Sequence, residues 1–212
     1  PYNWIICEGL SEKIYFEEIF KNEILNNNLR ILPLGSYKEV KKVYSYLLSP
    51  IKDPDYVVKG KVICLIDTDN ESIDIECQKI KNLYFLRLLN TEKDGSTLVD
   101  VDSNFKSPPT EIEDCLHPII YFQALLEFSE DYPNLKSILL KNETDAKARN
   151  SYEFIDLRDS ERKTIKAFFD DNEGFNKIKF AKKYVELLKV DFFKNIDCLN
   201  WTENIKKKIT QS

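Results

Sequence analysis

The stretch Lys61-Val62-Ile63-Cys64-Leu65-Ile66-Asp67-Thr68-Asp69-Asn70 constrains the fold more than any other part of the chain. Five consecutive apolar residues between a charged start and two aspartates read as a strand buried on both faces, the kind found in parallel sheets covered by helices on each side. Open α/β sheets hold their ligands in the crevice beyond the carboxyl ends of the strands, where Asp67 and Asp69 fall. Two residues apart, they point into one mouth if the backbone turns between them. Close carboxylates repel, so one takes up a proton unless a cation neutralises both. Mg²⁺ suits such a place, since it binds one or two carboxylates together with water and phosphate oxygens. The plainer alternative is an Asx turn or helix cap, with Asp-Thr-Asp-Asn opening the next helix. Asp-x-Asp alone is a weak pattern.

The chain around this strand alternates in the manner of a doubly wound α/β sheet. Tyr2 to Cys7 predicts a first strand ending at Glu8-Gly9, and Ser11 is the expected N-cap of a helix running to about Asn26. Glycine at that turn lets the backbone pass close to whatever Glu8 holds; otherwise Glu8 is an ordinary carboxylate favoured by a helix N-terminus. Leu29 to Leu34 predicts a second strand, which its proline makes short or places at an edge, and Gly35-Ser36 opens a helix to about Leu48. A loop from Ser49 to Gly60 leads to the central strand. A helix from about Ser72 to Lys81 and a strand from Asn82 to Leu89 follow. Thr91 to Thr110, polar and holding Gly95 and Pro108-Pro109, reads as an irregular loop over the strand ends.

Three acids, Glu111, Glu113 and Asp114, then precede an apolar helix from Ile119 to about Phe128. They form a second acidic cluster near the expected mouth, or else solvated charges in a first helical turn. Asp131 to Arg158 reads as loop with poorly defined elements, and the chain from Ser160 onward as helical, with Asp159 or Ser160 capping Glu161 to Phe169. From Phe175 a basic amphipathic helix carries Phe180, Tyr184, Leu187 and Leu188 on one side. Its Lys177, Lys179, Lys182, Lys183 and Lys189 are candidates for phosphate contact, although a solvated face is the commoner meaning of such lysines. A basic helix from Trp201 to Ile209 closes the chain.

Composition narrows the function classes. A net charge of −5 argues against nucleic-acid binding by bulk basicity, though not against an enzyme that meets phosphates through metal ions and a local basic strip. One histidine, His117, read as a helix-end residue, makes a histidine-dependent triad and a structural zinc site poor fits. The five cysteines are scattered, without a Cys-x-x-Cys pair, and Cys7 and Cys64 are expected as buried thiols. No apolar run approaches the roughly 20 residues of a transmembrane helix, and no signal segment opens the chain. The expectation is a soluble, cytoplasmic protein with no membrane partner. Because it holds no methionine, the chain is expected to be a processed product, a fragment, or a sequence without its modified residues.

Taken together and in order, Ile5-Ile6-Cys7-Glu8-Gly9, Glu12-Lys13-Ile14-Tyr15, Leu34-Gly35-Ser36 and Ile63-Cys64-Leu65-Ile66-Asp67-Thr68-Asp69 resemble the Toprim domain shared by topoisomerases, bacterial primases and several nucleases. The likeness covers roughly residues 2 to 90. It implies an α/β fold with a mostly parallel central sheet flanked by helices, and a metal site built from the glutamate after the first strand and the Asp-x-Asp after the third. Glu8, Asp67 and Asp69 match those positions; Glu12 stands where an aspartate is more usual. Glu111 to Leu116 is similar to the Ile-Glu-Asp segment of Toprim nucleases of the overcoming-lysogenization-defect type and of Toprim extensions of retron reverse transcriptases. Lys177-Ile178-Lys179-Phe180-Ala181 is similar to their Lys-x-x-Phe-Ala segment, whose lysine meets the reacting phosphate. The expected organisation is a Toprim-like domain over residues 1–130 with a mainly helical extension, 131–212, packed on it.

The resemblance implies a Mg²⁺- or Mn²⁺-dependent endonuclease or nickase, with DNA favoured over RNA, and an anti-phage defence role that rests on family analogy. Two metals roughly 3.5 to 4 Å apart would activate a water and stabilise the leaving oxygen. Glu8, Asp67, Asp69 and Glu113 would hold them, Glu111 or Asp114 would add or orient a ligand, and Lys177 would neutralise transition-state charge. No P-loop is present, so an ATPase partner would be another chain; a reverse-transcriptase partner and self-association stay open. The competing reading is a catalytically silent Toprim-like binding module of a larger complex.

Overall fold

The computed structural model describes residues 1–48, 59–68, 80–91, 95–101, 109–147, 157–170, 176–190 and 199–211. By packing, the chain divides into two units, Pro1–Ile112 with Cys198–Ser212, and Glu113–Asp197.

The first unit is built on a five-stranded sheet. Its strands are β1 (Asn3–Cys7), β2 (Leu29–Pro33), β3 (Val62–Ile66), β4 (Leu83–Thr91) and β5 (Gly95–Asp100), in the order β2-β1-β3-β4-β5. The first four are parallel and β5 pairs antiparallel with β4. Every residue of β3 is buried, as its unbroken apolar run requires. Side chains alternate across the sheet. Ile6, Val62, Cys64, Ile66, Leu83 and Phe85 point to one face, where Val40 and Tyr44 of α3 (Tyr37–Leu48) cover them. The opposite face is closed by α1 (Leu10–Ile19), whose Phe16, with Phe20, meets Trp201 of α9 (Asn200–Thr210) at ring-centroid distances of 6.0 and 6.2 Å. A short α2 (Lys21–Asn26) leads into β2. Pro33 sits on the edge strand as expected. Leu34 N–H donates to the Cys7 carbonyl, so the neighbouring position is one whose N–H would face outward, and a proline there removes nothing.

Several expectations need correction. The segment from Thr91 to Thr110 is not all loop, since Gly95–Asp100 forms β5, in register from Thr91↔Gly95 to Leu86↔Asp100. The first helix is two, broken at Phe20, and it begins at Leu10 behind Gly9, so Ser11 lies inside the helix instead of capping it. The last helix belongs to the unit that holds the sheet, where Trp201 meets Phe16 of α1. The helix expected over 72–81 lies almost wholly outside the described residues.

The second unit is helical, with α4 (Pro118–Phe128), α5 (Pro133–Lys141), α6 (Glu143–Ala146), α7 (Asp159–Asp170) and α8 (Lys177–Leu188). α5 and α6 lie within the stretch expected as loop with poorly defined elements. Pro133 opens α5 where its missing N–H costs nothing, and Leu135 and Leu139, four apart, are buried. α8 packs on α4 through Phe180, whose ring lies 5.2 Å from Tyr121 and 5.5 Å from Phe128. α8 buries Phe180, Ala181, Tyr184 and Val185; Leu187 and Leu188 are only half-buried. α7 is closed by its own Glu161, whose carboxylate accepts Arg158 N–H at 3.0 Å. Among the described residues, no helix is long and apolar enough to cross a membrane.

Two measurements test this packing. Trp201→Ala removes a fully buried ring and is expected to cost about 3–5 kcal/mol by chemical denaturation; a loss below about 1 kcal/mol would detach α9 from the sheet. Hydrogen bonds from Lys141, then Arg158, hold the Glu161 carboxyl down from 4.5 to about 2. Its contribution is therefore full above pH 4.5 and is lost as pH falls toward about 2. The stability gap between the unaltered chain and Glu161→Gln should close across that window.

Candidate functional site

The sheet changes winding direction between β1 and β3. From β1 the chain crosses to β2 on one side, and from β3 it proceeds to β4 on the other. The carboxyl ends of these two central strands therefore flank the crevice where doubly wound sheets bind ligands. Glu8 follows β1 and Asp67 follows β3, and Asp67 N–H donates to Glu8 Oε1 at 3.0 Å. Both side chains are half-buried.

The segment after β2 completes one wall. Leu34 N–H donates to the Cys7 carbonyl at 3.0 Å, and Gly35 N–H to the Glu8 carbonyl at 2.5 Å. Gly35 adopts φ +94°, a conformation that favours glycine. Gly9 bears on the turn in a different way. Its φ of −128° is ordinary, but a Cβ there would lie 2.7 Å from Glu12 Oε2. Glu12 is buried and bends back over the turn, accepting Gly9 N–H at 3.1 Å and the Ser11 hydroxyl at 3.1 Å. The backbone thus approaches Glu12 at Gly9.

The Asp-Thr-Asp segment is anchored through its middle residue. Thr68 and Thr110 exchange both backbone hydrogen bonds, at 2.8 and 2.7 Å. The buried Thr68 hydroxyl donates to the Leu88 carbonyl of β4, and Thr110 Oγ1 accepts Asn90 N–H at 3.3 Å. The antiparallel bridge sets residue 111 across from residue 67, so Glu111, an exposed acid, follows the clamp beside Asp67. Thr68 and Thr110 are the positions sequence reasoning missed. Thr68 occupied a quoted motif, but nothing in the sequence joined it to Thr110.

Cys7 reports the field of this corner. Burial pushes its thiol well above the ordinary range, and the charges of Glu12, Asp67 and Glu8 push it further. Three carboxylates thus converge on the end of β1. Among the described residues, no three His, Cys, Asp or Glu side chains form a metal-binding group. Asp69, an expected ligand, lies outside those residues. The donor set still fits a hard divalent cation, because Glu8 and Asp67 offer two half-buried carboxylates on adjacent strand ends. The side chains of Cys7, Cys64 and Cys115 are buried.

In the second unit, Glu113 and Lys177 come together across 64 positions, with Lys177 Nζ 3.8 Å from Glu113 Oε2. Glu113 is buried, Asp114 half-buried, and the Lys177 side chain half-exposed. Lys177 is the first residue of α8, capped by Asn176, which accepts Lys179 N–H at 3.0 Å. Of the lysines expected to meet phosphate, Lys179 and Lys182 are exposed. Lys183 is held by Glu127 at 3.1 Å and Glu186 at 3.3 Å, and those bonds raise its pKa. His117 caps α4, and its N–H donates to the buried Tyr184 hydroxyl at 3.0 Å.

No family model, curated protein or solved structure matches this chain.

Thr68→Val preserves shape and removes the hydroxyl, leaving the Leu88 carbonyl without that donor. The expected cost is about 1–3 kcal/mol, read from the denaturation midpoint. A neutral result would mean that the clamp rests on the backbone bridge alone.

Proposed function

We propose that this chain is a Toprim-type nuclease that hydrolyses phosphodiester bonds of nucleic acid with Mg²⁺ or Mn²⁺. The observation that carries the reading is the hydrogen bond from Asp67 N–H to Glu8, which joins two carboxylate-bearing strand ends at the point where the sheet changes winding direction. Glu8 and Asp67 are the proposed metal-holding residues, Asp69 joins them by its place in the motif, and Glu111 is the acid nearest in chain to the Thr68–Thr110 clamp. The bound ion would supply Lewis-acid stabilisation and a more acidic water.

The protein's own part in this reading is positional. The peptide after β3 orients Glu8, the clamp fixes the backbone that presents Asp67, and Glu12 is spent on the turn. Lys177, which faces Glu113, is the proposed phosphate-facing cation of the second unit. A defence role, and an ATPase or reverse-transcriptase partner, belong to the same proposal.

The competing reading is a catalytically silent binding module. It draws on the structural work Glu8 already does in accepting the Asp67 N–H. Cleavage of supercoiled plasmid, single-stranded DNA and total RNA by the pure chain with Mg²⁺, Mn²⁺ or EDTA separates the two. The nuclease is expected to cut in a metal-dependent way, with Asp67→Ala and Glu8→Ala each losing at least about a hundredfold. Unchanged cleavage in both variants would falsify the site assignment. No cleavage, with calorimetric Mg²⁺ binding indifferent to both substitutions, would favour the silent module.

A further inference from the structure

A cavity of about 320 Å³ opens in the second unit between α5 and α7, far in sequence from the acidic corner and unused by the reading above. Its walls carry Lys141 of α5 and Arg158 just ahead of α7, with Asn134, Ser137 and Ser160 around them. Glu161 organises the two cations. It is nearly inaccessible, and its Oε1 accepts Lys141 Nζ at 2.7 Å and the Arg158 guanidinium at 3.0 Å, while Oε2 accepts Arg158 N–H at 3.0 Å. Those three bonds occupy the carboxylate. The lysine and arginine are pinned in place but not used up, since an ammonium has three N–H donors and a guanidinium five. Their side chains remain 57% and 74% exposed, enough to reach a ligand. Ser137, Ser160 and Asn134 add further donor capacity. Two cations against one carboxylate leave a net charge of +1 in an otherwise acidic chain.

A ligand for such a cavity must be rich in acceptors and anionic. Arginine held in a fixed fork beside a lysine suits phosphate oxygens, and the volume reaches the lower range of small-molecule pockets, larger than a single oxyanion needs. We propose that the groove between α5 and α7 binds the phosphate of a nucleotide unit, with Arg158 and Lys141 as its two charged contacts and Glu161 as the residue that positions both. The unit can arrive as a free nucleotide or within a strand; the phosphate chemistry is common to both. The proposal stands independently of cleavage.

The test uses the whole chain in EDTA, with Asp67→Ala as background so that no substrate is cut. Calorimetry with AMP and with inorganic phosphate, and fluorescence anisotropy with a labelled single-stranded oligonucleotide, supply the probes. Arg158→Gln, Lys141→Gln and the conservative Arg158→Lys are compared, with thermal melts confirming that each folds. The expected result is binding of at least one probe, weakened about tenfold or more by Arg158→Gln and by Lys141→Gln, with partial recovery in Arg158→Lys. Binding of AMP identifies a free nucleotide as a sufficient source; binding of the oligonucleotide alone identifies the strand. If no probe binds, or if both glutamine variants bind as the parent does, the proposal is overturned. Glu161→Gln is a further arm. It should weaken binding although it removes a negative charge, whereas simple charge attraction would make that variant bind more tightly.

Discussion

Carboxylates gather at one corner of this protein because β1 and β3 run side by side in the same direction. Parallel strands bring their carboxyl ends to the same edge, and the sheet changes winding direction between these two. Glu8 and Asp67, 59 residues apart, are thereby joined by one hydrogen bond. Repulsion between such groups grows as the effective dielectric falls, so the fold tolerates them only at the rim, where both stay half-exposed. The residue beneath them obeys the same constraint. Cys7 presents a small neutral thiol whose ionisation is opposed by burial and by three negative charges, so it adds no charge to the corner.

Thr68 anchors the segment after β3 through its own backbone and side chain. Bonds to Thr110 and to the Leu88 carbonyl hold the residue between the two aspartates by both its backbone and its side chain. A β-branched side chain is already restricted at χ1, so little freedom is lost on burying it. Because successive side chains of an extended segment alternate in direction, sending Thr68 inward turns Asp67 the other way. The chain's return past this point at Thr110 brings Glu111 to the same edge.

How much of this was legible depended on how redundantly each element is encoded. β3 announces itself, since five apolar residues in a row have few alternatives to a doubly covered strand. β5 does not, because an edge strand is apolar on one side at most, and Leu98 and Val99 are its only large apolar residues. The stripe of α5 was hidden in the same way by surrounding Lys, Asn and Asp. Glu8 and Asp67 were joined as a pair by the family resemblance, each strand end alone being a weak signal, and the parallel placing of β1 beside β3 brings them together. The Thr68–Thr110 clamp stayed invisible, since a bridge across 42 residues leaves no periodic trace when one partner sits in an isolated polar position. Ser11 was misread because a serine near a helix start usually caps it, whereas here Glu12 supplies the reciprocal bond to Gly9 and draws the helix start forward.

The lysines of α8 can be ranked on electrostatic grounds. Lys183 sits between Glu127 and Glu186, and moving it to a phosphate would give up two ion pairs. Lys177 occupies the first position of the helix, where the dipole is unfavourable to a cation, and its contact with Glu113 at 3.8 Å is too long for a hydrogen bond. Lys179 and Lys182 are exposed, and an anion meeting them would not displace the ion pairs with Glu127 and Glu186. The first-turn N–H groups of the same helix would favour that anion as well. Lys183 is thus the lysine of α8 with the clearest cost in turning to a phosphate.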